Sequence, residues 1–345
     1  MSSNNTAIKN LISWSKREFS HLPWRENRSL YRTLVSEIML QQTTVSTVLN
    51  HFERFIKIFP DIDTLANSSE EKLTIEWKGL GYYRRARNLK KACITICEKH
   101  NGEIPLDFNT LISIHGIGVY TANAILAMGA DKRALALDAN LERVISRIYG
   151  IKEPKGLKLQ KEIAKRFNNN EICNEIVPIG ARVFNESLMD LGRNYCQARK
   201  ASCEICFLSK DCFAFKNKMT DQLPVVVEKT KESFELSLLR VIVEREGKYL
   251  TYKKSSTQWL AGQNEIPTFM IDSKDPKLNQ YPKIVGEFNL LPSFKSAITK
   301  YKILNFVIWV NEKEAKEMGL DLNKYSYSNT NLSTGSEKAI DLIKS

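Results

Sequence analysis

Residues 111–128 read LISIHGIGVYTANAILAM. Two apolar stretches flank a His-Gly-Ile-Gly turn, and their three- and four-residue spacing predicts a helix ending near His115 and a second beginning near Tyr120. Gly116 and Gly118 permit a tight backbone turn. They would turn backbone N–H groups and a helix N-terminus toward one spot, which suits a phosphate. A lone G-x-G is common in turns; between two apolar helices it fits a helix-hairpin-helix element, which positions a protein on a nucleic-acid backbone without reading sequence. His115 has no second histidine nearby, so it reads as a turn residue and not a metal ligand.

Outward from this hairpin, residues 1 to about 215 read as helical. Tyr31–Phe59 and Tyr83–His100 place apolar residues three and four apart, with Ala86, Leu89, Cys93 and Ile96 forming one stripe. Breakers punctuate them at Phe59-Pro60-Asp61, Gly79-Leu80-Gly81 and Gly102–Pro105. After Cys212 the pattern changes. Residues 216–232 are polar and charged around one proline, as in a linker. From 233 to 345 an α+β domain is expected: FELSLLRVIVE, a Gly-Lys turn and YLTYKK form a hairpin, and ILNFVIWV (Ile303–Val310) a further strand. Asn311–Gly319 and Gly335–Lys344 are expected as helices. The fold class is thus a mainly α N-terminal domain (1–215), a linker (216–232) and a smaller α+β domain (233–345).

A chain of 345 residues exceeds the usual size of a single core, consistent with two domains. No run of eighteen apolar residues exists, so no membrane span is expected. The start, MSSNNTAIKNLISW, lacks the features of a secretory signal, and a cytoplasmic protein (nucleoid-associated in a bacterium) is expected. The net charge is +12, of which residues 1–229 hold +9 (34 basic, 25 acidic) and the remainder +3 (17 basic, 14 acidic). A positive field concentrated in the helical part favours a polyanion.

Four of the seven cysteines fall within seventeen residues, spaced Cys196-x6-Cys203-x2-Cys206-x5-Cys212. Such a group can hold a tetrahedral zinc or an iron–sulfur cluster. Zinc sites usually pair two C-x-x-C units, and one such pair exists here; the six-two-five spacing instead resembles the [4Fe–4S] loop of the endonuclease III and MutY superfamily. Cys93, Cys97 and Cys173 lie on apolar stripes and read as core.

Two carboxylates stand out. Glu37, in YRTLVSEIMLQQTTV, has Leu34, Val35, Ile38 and Leu40 for neighbours, which would bury most of its helix. Asp138, in RALALDANLERVISR, sits where an apolar segment meets a helix, and an N-cap is the plain alternative there. As a pair they suit glycosidic cleavage: one carboxyl donates a proton to the leaving group while its ionised partner stabilises a cationic sugar. An enzyme cutting out a base must also extrude it from the stack. Gln41, Gln42 and Thr43 beside Glu37, and Tyr82 ahead of a basic run (Arg84, Arg85, Arg87, Lys90, Lys91), supply groups for that.

LPWR (Leu22–Arg25), SEIMLQQT (Ser36–Thr43), GLGYYRRARNL (Gly79–Leu89), the hairpin, LDAN (Leu137–Asn140), FNESLMDLG (Phe184–Gly192) and the cysteine loop occur in the order of the MutY family, which this chain resembles over nearly all of residues 10–215. The resemblance implies an adenine DNA glycosylase of base excision repair, acting as a monomer on double-stranded DNA with A:8-oxoguanine or A:G mispairs. It implies that Glu37 protonates adenine and that Asp138 stabilises the oxocarbenium ion or bonds to it transiently, assisted by Tyr120 and Asn140. Trp24, Arg25, Leu40 and Glu186 would line the adenine pocket. Gln42 and Tyr82 would wedge the duplex, with Thr43 and Leu80 near the opposing base. Cys196, Cys203, Cys206 and Cys212 would hold a [4Fe–4S] cluster. Bifunctional endonuclease III relatives carry a lysine nucleophile where this chain has Tyr120, so a monofunctional enzyme is implied.

The C-terminal part is similar to the MutT-like (Nudix-type) domain of the same family, with Trp259–Pro267 (WLAGQNEIP) matching its Leu-Ala-Gly loop. The clustered glutamates of Nudix hydrolases are missing. The family's Phe-Ser-His loop corresponds to Ile298-Thr299-Lys300, where Thr299 keeps a hydroxyl. Further departures are Ala139 for glycine, Asn123 for glycine and Ile266 for phenylalanine. Two other readings fit part of the pattern: a mismatch thymine or uracil glycosylase, and a catalytically silent DNA-binding relative.

Overall fold

The structure, a computed structural model, describes residues 2–227 and 232–344, so residues 228–231 of the expected linker lie outside the described residues. By its internal contacts the chain divides into two units, Met1–Ser68 with Gly79–Glu228, and Ser69–Lys78 with Lys229–Ser345. Among the described residues, no helix is long and apolar enough to cross a membrane.

The first unit is helical. Ser29, Thr44 and Asp107 each occupy an N-cap and accept a hydrogen bond from the N–H three residues on, the usual reason such residues start helices. The segment Tyr31–Phe59 forms two helices, Leu30–Leu40 and Val45–Ile58. The break falls at Gln42, whose φ of +57° cannot continue a right-handed helix. Leu34, Val35, Ile38 and Met39 are almost wholly buried, and each such side chain contributes roughly 1.5–3 kcal/mol. That packing fixes the helix that carries Glu37.

The hairpin comprises helix Phe108–Ser113, a turn, helix Val119–Ala124 and a π-helical turn Ile125–Gly129. Its two glycines differ in kind. Gly116 has φ +89°, and a Cβ there would lie 2.6 Å from the backbone oxygen of Asn88; at Gly118 a Cβ would meet nothing. Downstream, Asp138 caps helix Ala139–Tyr149, which packs on the largely buried helix Ala181–Asn194.

The second unit contains two four-stranded sheets. Strands β1 (Phe234–Ile242), β2 (Glu244–Arg245), β3 (Lys248–Lys253), β4 (Asn264–Glu265), β5 (Thr268–Ser273), β6 (Ser293–Ile298), β7 (Tyr301–Trp309) and β8 (Ser326–Ser328) follow in chain order. One sheet runs β5-β1-β7-β6, with β1 and β7 parallel; the other joins β2, β3 and β4, with β8 on β3. The expected hairpin exists, but as the short pair β2–β3 around Glu246-Gly247. β1 itself pairs elsewhere, because its unbroken run Leu238–Ile242 is buried on both faces, as a central strand requires. The helices expected at Asn311–Gly319 and Gly335–Lys344 are Glu312–Glu317, with an Asn311–Glu314 capping box, and Thr334–Lys344. Within this unit Glu265 lies buried between Arg240 (3.0 Å) and Lys254. Burial would raise its carboxyl, yet the two cations outweigh it and hold the group below the ordinary value.

Candidate active site

Glu37 is 5% exposed. Its Oε2 accepts a hydrogen bond from the Tyr120 hydroxyl, which brings the Leu30–Leu40 helix and the second hairpin helix together. Burial disfavours the ionised carboxylate and pushes its pKa up to about 7. The Tyr120 bond and Arg25 pull it back, while Asp138 and Glu186 push it further. Burial and the neighbouring Glu37 raise the Tyr120 phenol well above its ordinary value, so it remains a neutral donor.

Asp138 is both an N-cap and a neighbour of Glu37. Its Oδ1 accepts from the backbone N–H groups of Asn140 (2.9 Å) and Leu141 (2.7 Å). Burial raises its pKa, with those two bonds and Arg143 opposing. Oδ2 has no protein donor among the described hydrogen bonds. The cap thus engages one oxygen of the carboxylate and leaves the other without a protein donor among the described residues.

Asn140 Oδ1 accepts from Arg143 Nη2 at 2.7 Å. Arg143 and Arg147, one turn apart on the same helix, reach the cysteine loop. Arg143 Nε donates to Cys196 O at 2.7 Å, and Arg147 Nη1 to Gln197 O at 2.9 Å and to Cys196 Sγ at 3.4 Å. Sequence reasoning missed both arginines; their signal was a pair of cations at positions i and i+4 of one helix.

Arg25 and Glu186 lie close enough to Glu37 to act on its charge. Each is held by a partner the sequence reading missed. Arg25 makes a bidentate pair with Asp190 (2.8 and 3.2 Å), which also accepts from Ser15 at 2.6 Å. Glu186 is gripped by both Nη atoms of Arg28, at 2.7 and 3.1 Å. Asp190 lies one turn beyond Glu186 on the same helix face, a spacing visible in FNESLMDLG. Trp24 is buried edge-on against Phe52, with ring centroids 5.4 Å apart, and so belongs to the core.

Arg85 organises the loop expected to meet DNA. Its Nη1 donates to the carbonyls of Ile38 and Met39 at 2.8 Å and to that of Gln41, closing the C-terminus of the Glu37 helix. Its Nη2 donates to Thr43 Oγ1 and to Leu80 O, both at 2.9 Å. Two loops are thereby tied back to back. Gln42 (φ +57°) and Tyr82 (φ +46°), one on each, are left exposed in left-handed conformations. The side chains of Leu40 and Gln41 are half-buried, and Gln41 Nε2 donates to Thr121 Oγ1 at 3.4 Å. The Leu80 side chain is 4% exposed and faces the core.

Cys196, Cys203, Cys206 and Cys212 are free thiols that together line one cavity with Arg147, Leu191 and Phe215. Among the described residues, no three cysteine, histidine or carboxylate side chains are arranged to hold a single metal ion. Cys93 and Cys173 are core residues as expected, whereas Cys97 is half-buried. In the second unit Thr299 is exposed at the β6–β7 turn with φ +50°, beside Lys300, which pairs with Asp275 at 3.2 Å.

Residues 35–169 match the HhH-GPD superfamily base excision DNA repair protein family. The chain is 33% identical over 306 residues to the adenine DNA glycosylase of Buchnera aphidicola subsp. Acyrthosiphon pisum (strain APS), covering 88% of this chain and 77% of that protein. It is 33% identical over 246 residues to the adenine DNA glycosylase of Buchnera aphidicola subsp. Schizaphis graminum (strain Sg), covering 71% and 67%. Among solved structures, a thermostable thymine-DNA glycosylase aligns with a TM-score of 0.54 at 24% identity, over 63% of this chain and 98% of that one; this likeness concerns the fold alone. With a buried acid beside a helix-capping aspartate on a helix-hairpin-helix scaffold, and with these relatives, the chain belongs to the adenine DNA glycosylase family of base excision repair enzymes.

Proposed function

We propose that this enzyme hydrolyses the N-glycosidic bond of adenine mispaired with 8-oxoguanine or guanine in double-stranded DNA, as a monomer and without a lyase step. The observation that carries the reading is the buried Glu37 carboxyl, hydrogen-bonded to Tyr120 and close enough to Asp138 to feel its charge. With a pKa near 7, Glu37 is protonated in a large fraction of molecules at neutral pH and can give its proton to the departing adenine. The bonding electrons leave with the base, and the sugar becomes cationic at C1′. Asp138 Oδ2 faces that cation as an anion, or bonds to it transiently, until water adds and loses a proton. Tyr120 orients Glu37 and, unlike a lysine amine, offers no nucleophile for attack on the sugar.

Gln42 and Tyr82 are the groups that enter the duplex, in keeping with their exposure and the support of Arg85. Gly118, with open space where a Cβ would stand, lets a phosphate approach the hairpin. The residues of the cysteine loop fit an iron–sulfur cluster better than a single ion: four thiols line one cavity, and among the described residues no three ligand side chains are arranged around one ion. Cys196, Cys203, Cys206 and Cys212 would hold a [4Fe–4S] cluster, which when bound ties the basic loop in place. Thr299, at an exposed turn, offers a hydroxyl to the base opposite adenine.

Single-turnover assays of the full chain on A:8-oxoguanine, A:G, T:G and U:G duplexes test the reading. Adenine release from the first two, with an abasic strand left uncut until heat or alkali is applied, is the expected result. Release of thymine or uracil but not adenine would overturn it. Tight binding without release of any base would favour a silent DNA-binding protein.

A further inference from the structure

Apart from the active site, the helical unit holds a second, mainly apolar cavity of about 250 Å³, open at its mouth. Ile8, Leu11 and Ile12 of the first helix face Ile148, Phe184 and Leu188 across it. Small-molecule sites combine apolar walls with a small number of polar groups. The polar groups on its wall are Tyr149, Glu175, Ser187 and Asp211. Glu175 Oε2 is buried and has no hydrogen-bond partner among the described residues. Beside it stands Tyr149, whose hydroxyl accepts from the backbone N–H of Cys173 at 3.0 Å. A buried carboxylate oxygen without a donor is costly, and a donor supplied from outside the chain removes that cost.

We infer that this cavity binds a small amphiphile with an apolar body and an ammonium head, the body filling the space between Ile12 and Leu188 and the head pairing with Glu175. Charge selects the class. A neutral body alone would leave Oε2 unpaired, and an anion would meet like charge from Glu175. Ile148 and Leu208 line this cavity and the four-cysteine cavity alike, so an occupant here packs against the wall of the cysteine loop. None of these residues belongs to the proposed catalytic group, and the inference stands independently of the target base.

Calorimetric titration of the full chain with 4-phenylbutylamine, 4-phenylbutanol and 4-phenylbutyrate tests it. The amine should bind roughly tenfold more tightly than the alcohol, as a charge-assisted hydrogen bond warrants, and the carboxylate should not bind. Glu175→Gln keeps the shape and should reduce the amine's advantage to less than about threefold. Ile12→Trp, which fills the cavity, should abolish binding of amine and alcohol together. Equal binding of amine and alcohol, amine binding unchanged in Glu175→Gln, or no amine binding by the native chain would each overturn the inference.

Discussion

Arg143 donates through Nε to the backbone carbonyl of Cys196 at 2.7 Å. The same guanidinium reaches Gly192 O at 2.8 Å and Asn140 Oδ1 at 2.7 Å, so one side chain joins the cysteine loop to the first turn of the helix capped by Asp138. Arg143→Met keeps most of the volume and removes every donor. Each buried acceptor left unpaired costs about 1–3 kcal/mol, so the variant should be destabilised by at least about 2 kcal/mol in denaturant titration. Its single-turnover excision should fall by roughly tenfold or more, because Asp138 loses its support. Arg143→Lys, with a single point of contact, should recover only part of either loss.

The elevated Glu37 pKa gives a signed pH dependence. Its folded value of about 7 exceeds the ordinary 4.5, so folding favours the protonated form. The resulting stability is fully present below about pH 4.5, is lost as pH rises through about 7, and leaves a buried charge as a constant cost above that. The full effect is on the order of 3 kcal/mol. Excision should decline above about pH 7 as the acid ionises. Glu37→Gln should abolish excision while melting higher than the native chain at about pH 8.

Removing the Tyr120 hydroxyl isolates one contributor. Its hydrogen bond lowers the Glu37 pKa, so Tyr120→Phe should move the descending limb of the rate profile to higher pH. An unmoved or lowered limb in single-turnover rates would show that the bond does not act on the acid.

Arg85 separates base extrusion from chemistry. Arg85→Met frees the carbonyls at the end of the Glu37 helix and removes the guanidinium bridge between Thr43 and Leu80, leaving the direct 3.4 Å bond from Thr43 Oγ1 to Leu80 O. Fluorescence of 2-aminopurine at the target position should report extrusion reduced by roughly tenfold. Binding to undamaged duplex, set mainly by phosphate contacts, should change little.

Much of this was legible in the sequence because the signals were local. Gly116 announces its turn, and the apolar neighbours of Glu37 announce that it is buried. The partners were not legible. Arg28 grips Glu186 across 158 residues and Arg25 reaches Asp190 across 165, and no local pattern encodes which cation a carboxylate meets. Strand β6 (SFKSAI) also escaped notice: it alternates only between exposed and half-buried residues, so its place at the sheet edge comes from pairing with β7 and not from an apolar rhythm. Leu80 and Trp24 carry the motif's spelling, yet their side chains are spent on packing.

The central claim is that Asp138 acts through its charge and not merely as a helix cap. Asparagine caps helices as well as aspartate does, so Asp138→Asn retains the bonds to Asn140 and Leu141 while removing the anion beside the sugar. Single-turnover excision from an A:8-oxoguanine duplex, measured alongside DNA affinity and thermal melting, decides the matter. Base release lost by roughly a thousandfold or more, with affinity and melting near native, is the predicted result. Near-native base release in that variant would contradict the mechanism.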